Sequence, residues 1–197
     1  MSTAREEIAH TAARLVVEEG LEYGPAKRRA LKQLGLSTRA ELPDNDLLED
    51  AVREYLSLFC ADTQPGELRA LRETATVWME RLAEFRPHLT GAVWRGTATR
   101  LNDIHLQLYC DDSKSAEILL LNKGIDYEVG SAPGPRGSMV DRLSLTIPCP
   151  GLGESVGLHL SILDADDLRG ALKPDARGRS ERGDLTALQR LLNNDTA

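Results

Sequence analysis

Residues 91–112 read GAVWRGTATRLNDIHLQLYCDD, and the alternation in their second half decides the fold. From Asp103 to Cys110 polar and apolar residues alternate strictly. Ile104, Leu106, Leu108 and Cys110 fall on one side, and Asp103, His105, Gln107 and Tyr109 on the other. Side chains of a strand point alternately to its two faces, so this segment is a strand with one core face and one polar face. Two later segments repeat the pattern. Leu143, Leu145 and Ile147 oppose Arg142, Ser144 and Thr146, and Val156, Leu158, Leu160 and Ile162 oppose Gly157, His159 and Ser161. Three such strands imply a sheet with helices behind it. In front lies either water alone or the floor of a cleft, and Asp103, His105 and His159 are the most chemically capable residues on that face.

Working outward, the segments before residue 88 have helical periodicity. Thr3 and Glu6 form a capping box, in which each side chain satisfies a backbone N–H of the other end. The helix they open runs to Gly20, with Ile8, Ala12, Leu15 and Val16 on one face. A second helix is expected over 25–34, stopped by Gly35. A third follows Pro43, capped by Asp44 or Asp46, with Leu48, Val52, Tyr55, Leu56 and Phe59 inward. The fourth spans 65–85, with Leu68, Leu71, Ala75, Trp78, Met79 and Leu82 at helical spacing, and Pro87 ends it.

Beyond it the pattern predicts a strand at 89–93, a helix capped by Asp112 and Ser113 and reaching Leu121, and strands near 125–129, 140–147 and 156–163. A last helix is expected over 185–192. SAPGPRGS reads as a turn, and DARGRSERGD as a charged, mobile loop. The expected fold class is α+β: a helical N-terminal region over residues 1–64, and a small mixed sheet with helices on one face over 65–197. The two are expected to form one compact unit.

Bulk properties narrow the function. With 41% hydrophobic and 28% charged residues over 197 positions, the chain is long and apolar enough to fold. A net charge of −7 argues against a broad nucleic-acid or anionic-membrane footprint, though not against a local basic patch. Cys60, Cys110 and Cys149 are too few and too irregular for a disulfide framework or a four-ligand zinc site, which suits a reducing, cytoplasmic setting. The charged N-terminus has no apolar leader, and no apolar run is long enough to span a bilayer. Neither a Gly-x-x-x-x-Gly-Lys-Ser/Thr phosphate loop nor a Gly-x-Ser-x-Gly elbow is present.

The opening stretch also resembles the core of the polymerase-beta-like nucleotidyltransferases, especially their minimal bacterial members. That family has Gly-Ser after its first strand, then Arg-Gly-Thr-Ala, then Ser-Asp-x-Asp opening the second. Gly91-Ala92, Arg95-Gly96-Thr97-Ala98 and Asn102-Asp103-Ile104-His105 stand at the same spacing. The resemblance implies a nucleotidyltransferase-type sheet that binds an NTP and moves its nucleotidyl group to an acceptor. It implies that Gly91, Ala92, Arg95, Gly96 and Thr97 hold the phosphates, the glycines by letting backbone N–H groups approach. It implies that Asp103 and His105 occupy the catalytic acidic positions, with a divalent metal, magnesium or manganese, as cofactor.

Three departures qualify that inheritance. Ala92 stands where the family has serine, and His105 where it has its second aspartate. The third acidic position falls on the 156–163 strand, where the polar residue is His159. Magnesium prefers oxygen ligands, whereas imidazole suits transition metals. Asp103, His105 and His159 would make a two-histidine, one-carboxylate metal site if their strands are adjacent. The other reading is that the metal site has been lost and the chain is a silent relative. It would then bind a nucleotide, or a protein partner through its N-terminal helices.

Other residues have two readings each. Lys27, Arg28, Arg29 and Lys32 are either a phosphate contact or, as preferred, a solvated helix face. Arg95 and Arg100 flank the glycine turn and bind either phosphate or surface acids. Trp94 either stacks on a base or covers the sheet edge. Asp126 and Asp141 are spare carboxylates.

Overall fold

A computed structural model describes residues 3–195. The chain is α+β, with eight α-helices and a six-stranded mixed sheet among the described residues. It divides between Pro65 and Gly66 into two compact units. None of the described helices is long and apolar enough to cross a membrane.

The first unit holds α1 (Ala4–Glu19), α2 (Tyr23–Gln33) and α3 (Asn45–Phe59). Thr3 and Glu6 close the expected capping box on α1, and Gly20 ends it in the left-handed conformation at φ 69°. α2 begins two residues earlier than expected, which places Pro25 in its first turn. Backbone N–H groups there have no intrahelical partner, so proline costs no hydrogen bond. Ile8, Ala12, Leu15, Ala26, Ala30, Leu48, Val52 and Leu56 form the core. Phe59, expected inward, is 70% exposed. The Tyr55 hydroxyl already donates to Glu18 near the end of α1, so Phe59, one turn later, has no helix to cover it. The basic run is not wholly solvated either. Lys27 is buried and its Nζ donates to Asn45 Oδ1 at 2.7 Å.

All but the first two residues of α4 (Gln64–Arg81) belong to the second unit, and the helix ends four residues sooner than expected. A 3-10 turn at Ala83–Phe85 and Arg86 at φ 50° carry the chain into Pro87, since the residue before proline avoids the helical region. β1 (His88–Thr90) follows. The strand expected to reach residue 93 stops at Gly91, where φ is 77° and the chain turns into the short helix α5 (Gly91–Arg95). Gly96, at φ 91°, closes α5.

The remaining elements are β2 (Ile104–Cys110), α6 (Ser115–Asn122), β3 (Glu128–Pro133), β4 (Met139–Cys149), β5 (Glu154–Asp164), α7 (Leu168–Ala171), β6 (Arg182–Gly183) and α8 (Leu185–Asn194). β3 begins three residues later than expected. Asp112 accepts from the Lys114 N–H in a turn just before α6, which starts at Ser115. The expected mobile loop contains β6, the edge strand beside β1.

The strand order is β3-β4-β5-β2-β1-β6. β2 and β5 run parallel, and the other pairs are antiparallel. Leu106, Leu108, Leu145, Leu158 and Leu160 lie on the apolar face and share one core with Leu71 and Met79 of α4 and with Leu82 just beyond it. The other face carries Thr90, His105, Gln107, His159, Ser161, Arg142 and Ser144.

Candidate functional site

The register lays one polar row straight across the sheet. Arg182 pairs with Thr90, Thr90 with His105, His105 with His159, His159 with Ser144, and Ser144 with Glu128. Two residues apart in a strand point to the same face, so these side chains stand side by side. Asp103 precedes β2 and reaches toward β5 from the end of this row.

Asp103, His105 and His159 do come together. Asp103 Oδ1 accepts from the Gly157 N–H at 3.1 Å, and Oδ2 pairs with His159 Nε2 at 2.8 Å. Only glycine permits this approach, because a Cβ at position 157 would lie 2.6 Å from the carboxyl carbon. The His159 hydrogen bond, helped by the Gly157 N–H, holds Asp103 below the ordinary carboxylate pKa despite its burial. The ionised Asp103 therefore accepts the Nε2 proton of His159. Nδ1 and the Ser144 hydroxyl share a hydrogen bond of 2.8 Å. Both nitrogens of His159 are engaged.

The His105 ring stacks on that of His159 with centroids 4.9 Å apart and planes 25° apart. Burial is the main cause that pushes the His105 pKa down from 6.5 to about 4, with His159, Arg142 and Arg95 adding to it against Asp103. His105 is thus neutral in the folded protein. In the unfolded chain it titrates near 6.5, so between those values the unfolded state binds more protons. Stability rises with pH through that window and is lost on acidification from about 6.5 to 4. The loss expected is about 2–3 kcal/mol, and it saturates below about pH 4. Urea unfolding at several pH values measures it, and His105→Gln should flatten the profile. An equally steep profile in the variant would assign it to other groups.

These residues do not fit a two-magnesium centre. Both Asp103 oxygens and both His159 nitrogens already have partners, and stacked imidazoles present faces rather than converging lone pairs. Among the described residues no three His, Cys, Asp or Glu side chains form a group able to hold a metal ion. The spare carboxylates do not complete one. Asp126 lines an open cavity of about 590 Å³ with Asp103, Glu128, Ser144 and Thr146. Asp141 pairs with Lys114 at 3.7 Å.

The glycine turn stands over His105. A Cβ on Gly91 would lie 3.7 Å from His105 Cδ2. The Ala92 carbonyl accepts from the N–H groups of Gly96 and Thr97 at 2.9 and 3.0 Å. Thr97 is buried, so it braces the turn rather than facing the cleft. Arg95 acts electrostatically on His105. Arg100 points elsewhere and pairs with Glu154 at 3.1 Å. Trp94 covers the sheet edge. Its indole N–H donates to the Ser180 carbonyl at 2.8 Å and its ring fills the space over Gly183.

Sequence reasoning missed Arg72 of α4. It is buried, and it donates from Nε to Val93 O and from Nη2 to Trp94 O, both at 2.9 Å. Its signal was a cation on the apolar stripe, one residue after Leu71 and three before Ala75. Arg142 was placed on the polar face but given no role.

Comparison with protein-family models and with curated proteins finds no match.

Proposed function

We propose that the second unit is a nucleotidyltransferase-type domain that binds a nucleotide without transferring its nucleotidyl group. The observation that carries this reading is the Asp103 carboxylate, fully engaged by Gly157 and His159 where a metal-dependent transferase needs free oxygen ligands. The α+β sheet, the spacing of Gly91, Arg95, Gly96 and Asp103, and the turn standing over His105 support the nucleotidyltransferase type. The phosphates lie between Gly91 and Arg95 above His105. Asp103 and His159 keep the cleft floor rigid.

The test combines binding with turnover. Calorimetry with each NTP, with magnesium, with manganese and with EDTA, should show binding. Pyrophosphate release should be equally low in the wild type and in Asp103→Ala. Release that depends on Asp103 and a divalent metal would make the chain an active transferase, and no binding of any NTP would remove the nucleotide from the reading.

A further inference from the structure

Arg142 is a half-buried cation in the middle of the polar face, and among the described residues no acidic side chain forms an ion pair with it. Its sheet neighbours on that row are Gly130, Ser161 and, one strand further, Gln107, none of them acidic. Its Nε is buried without a hydrogen-bond partner. No hydrogen bond or ion pair to its side chain occurs among the described residues. A guanidinium has five donors and is always charged, so leaving it buried and unpaired is costly unless a ligand completes it.

Other donors share its surroundings. Gln107 Oε1 accepts from the Tyr109 hydroxyl at 3.2 Å, which leaves the amide NH2 to donate. The Ser161 hydroxyl stands between Gln107 and Arg142. Arg95 lies on the other side of the row, at the end of α5. α5 starts over His105 at Gly91 and ends at Arg95, and Arg142 pairs with Ser161, two residues along β5 from the His159 that pairs with His105, so both arginines flank the same part of the polar face. A local concentration of positive charge in a chain of net charge −7 selects a small, highly charged anion rather than a nucleic-acid strand.

We infer that Arg142 and Arg95 clamp a linear di- or triphosphate above His105, so that side chains supply the positive charge a phosphate chain otherwise takes from bound metal ions. This rests on the nucleotide-binding reading for the source of the phosphates, but the clamp itself recognises any linear polyphosphate. Spanning two guanidiniums needs more than one phosphate, so a monophosphate binds weakly.

The experiment is calorimetry of the full chain in EDTA with ATP, ADP, AMP and inorganic tripolyphosphate. ATP, ADP and tripolyphosphate should bind without metal, and AMP at least about tenfold more weakly. Arg142→Gln should weaken tripolyphosphate and ATP binding about tenfold or more, and Arg142→Lys should restore part of it. Arg136→Gln, whose parent residue pairs with Asp167 at 2.7 Å, should change neither. Because no side chain among the described residues pairs with Arg142, its variants should melt no lower than the wild type. ATP binding unchanged in Arg142→Gln overturns the clamp and spares the nucleotide reading. Arg142-dependent tripolyphosphate binding without ATP binding does the reverse. Binding that requires magnesium overturns the clamp, and binding of neither ligand overturns both.

Discussion

Replacing Arg72 with methionine should lower the unfolding free energy by about 2–4 kcal/mol and loosen the turn over His105. The two carbonyls it serves, Val93 and Trp94, lie at the end of α5. A helix of five residues cannot satisfy its last carbonyls internally. Each charge-assisted hydrogen bond from a buried donor contributes about 1.5–3 kcal/mol, and orphaned buried carbonyls cost more than the bonds contribute. Methionine keeps the length and most of the packing, so the effect isolates the donors. Lysine should not rescue, because one ammonium cannot reproduce a planar fork that serves two carbonyls. The third partner, Asp195, pairs with Arg72 Nη1 at 3.3 Å but is half exposed, so Asp195→Asn should cost under about 1 kcal/mol. Urea unfolding measures all three variants. A loss under about 0.5 kcal/mol in Arg72→Met would mean that α5 is held by other contacts. Nucleotide binding should fall with stability in this variant, since Arg95 is carried by the same short helix.

Leu106→Ala should cost about 2–5 kcal/mol, whereas Gln107→Ala, one residue away, should cost under about 1 kcal/mol. Leu106 is 1% exposed on the central strand β2, with neighbours on both sides and α4 behind it. Truncation removes three carbons and leaves a cavity that a paired central strand cannot collapse. Gln107 faces the cleft and bonds only to Tyr109. The contrast tests the assignment of faces directly. Comparable losses at the two positions would mean that both faces of β2 are packed alike, and the cleft would lose its open floor. Denaturant midpoints at constant m-value are the readout.

The face assignment was legible because a period of two leaves few alternatives. Ile104, Leu106 and Leu108 could only share a core if His105 and Gln107 shared the other side. Tyr109 departs from that simple division. It is polar by position yet 1% exposed, in edge contact with the His88 ring at 5.3 Å. The α-helical caps at Thr3 and Asp44 were local chemistry, and both side chains accept from backbone N–H groups of their helices.

The error at residues 89–93 has a physical origin. Leu89 and Val93 look like strand residues, but the glycine between them takes a positive φ that only the tertiary context fixes. The adjacency of β2 and β5 was likewise invisible, since 54 residues separate Ile104 from Leu158. That adjacency is what places His159 against Asp103 and Ser144. Individual residue types pointed to a metal ligand set, while the hydrogen-bond directions that tie them to one another needed coordinates. Arg142 was visible as a polar-face residue, but its lack of a partner is a property of the whole sheet.

The turn over His105 is fastened by residues that are synthesised much later. Trp94 bonds to Ser180 across 86 positions, Thr90 to Glu181 across 91, and Arg72 to Asp195 across 123. Closing such loops costs entropy before any contact repays it, which slows folding. During translation the glycine turn therefore emerges with Arg72 but without its edge strand, which it acquires only when residues 180–183 clear the ribosome. The polar cleft over His105 is among the last parts of the molecule to form. Premature chain release upstream of residue 180 gives a product with β1 exposed as a bare sheet edge.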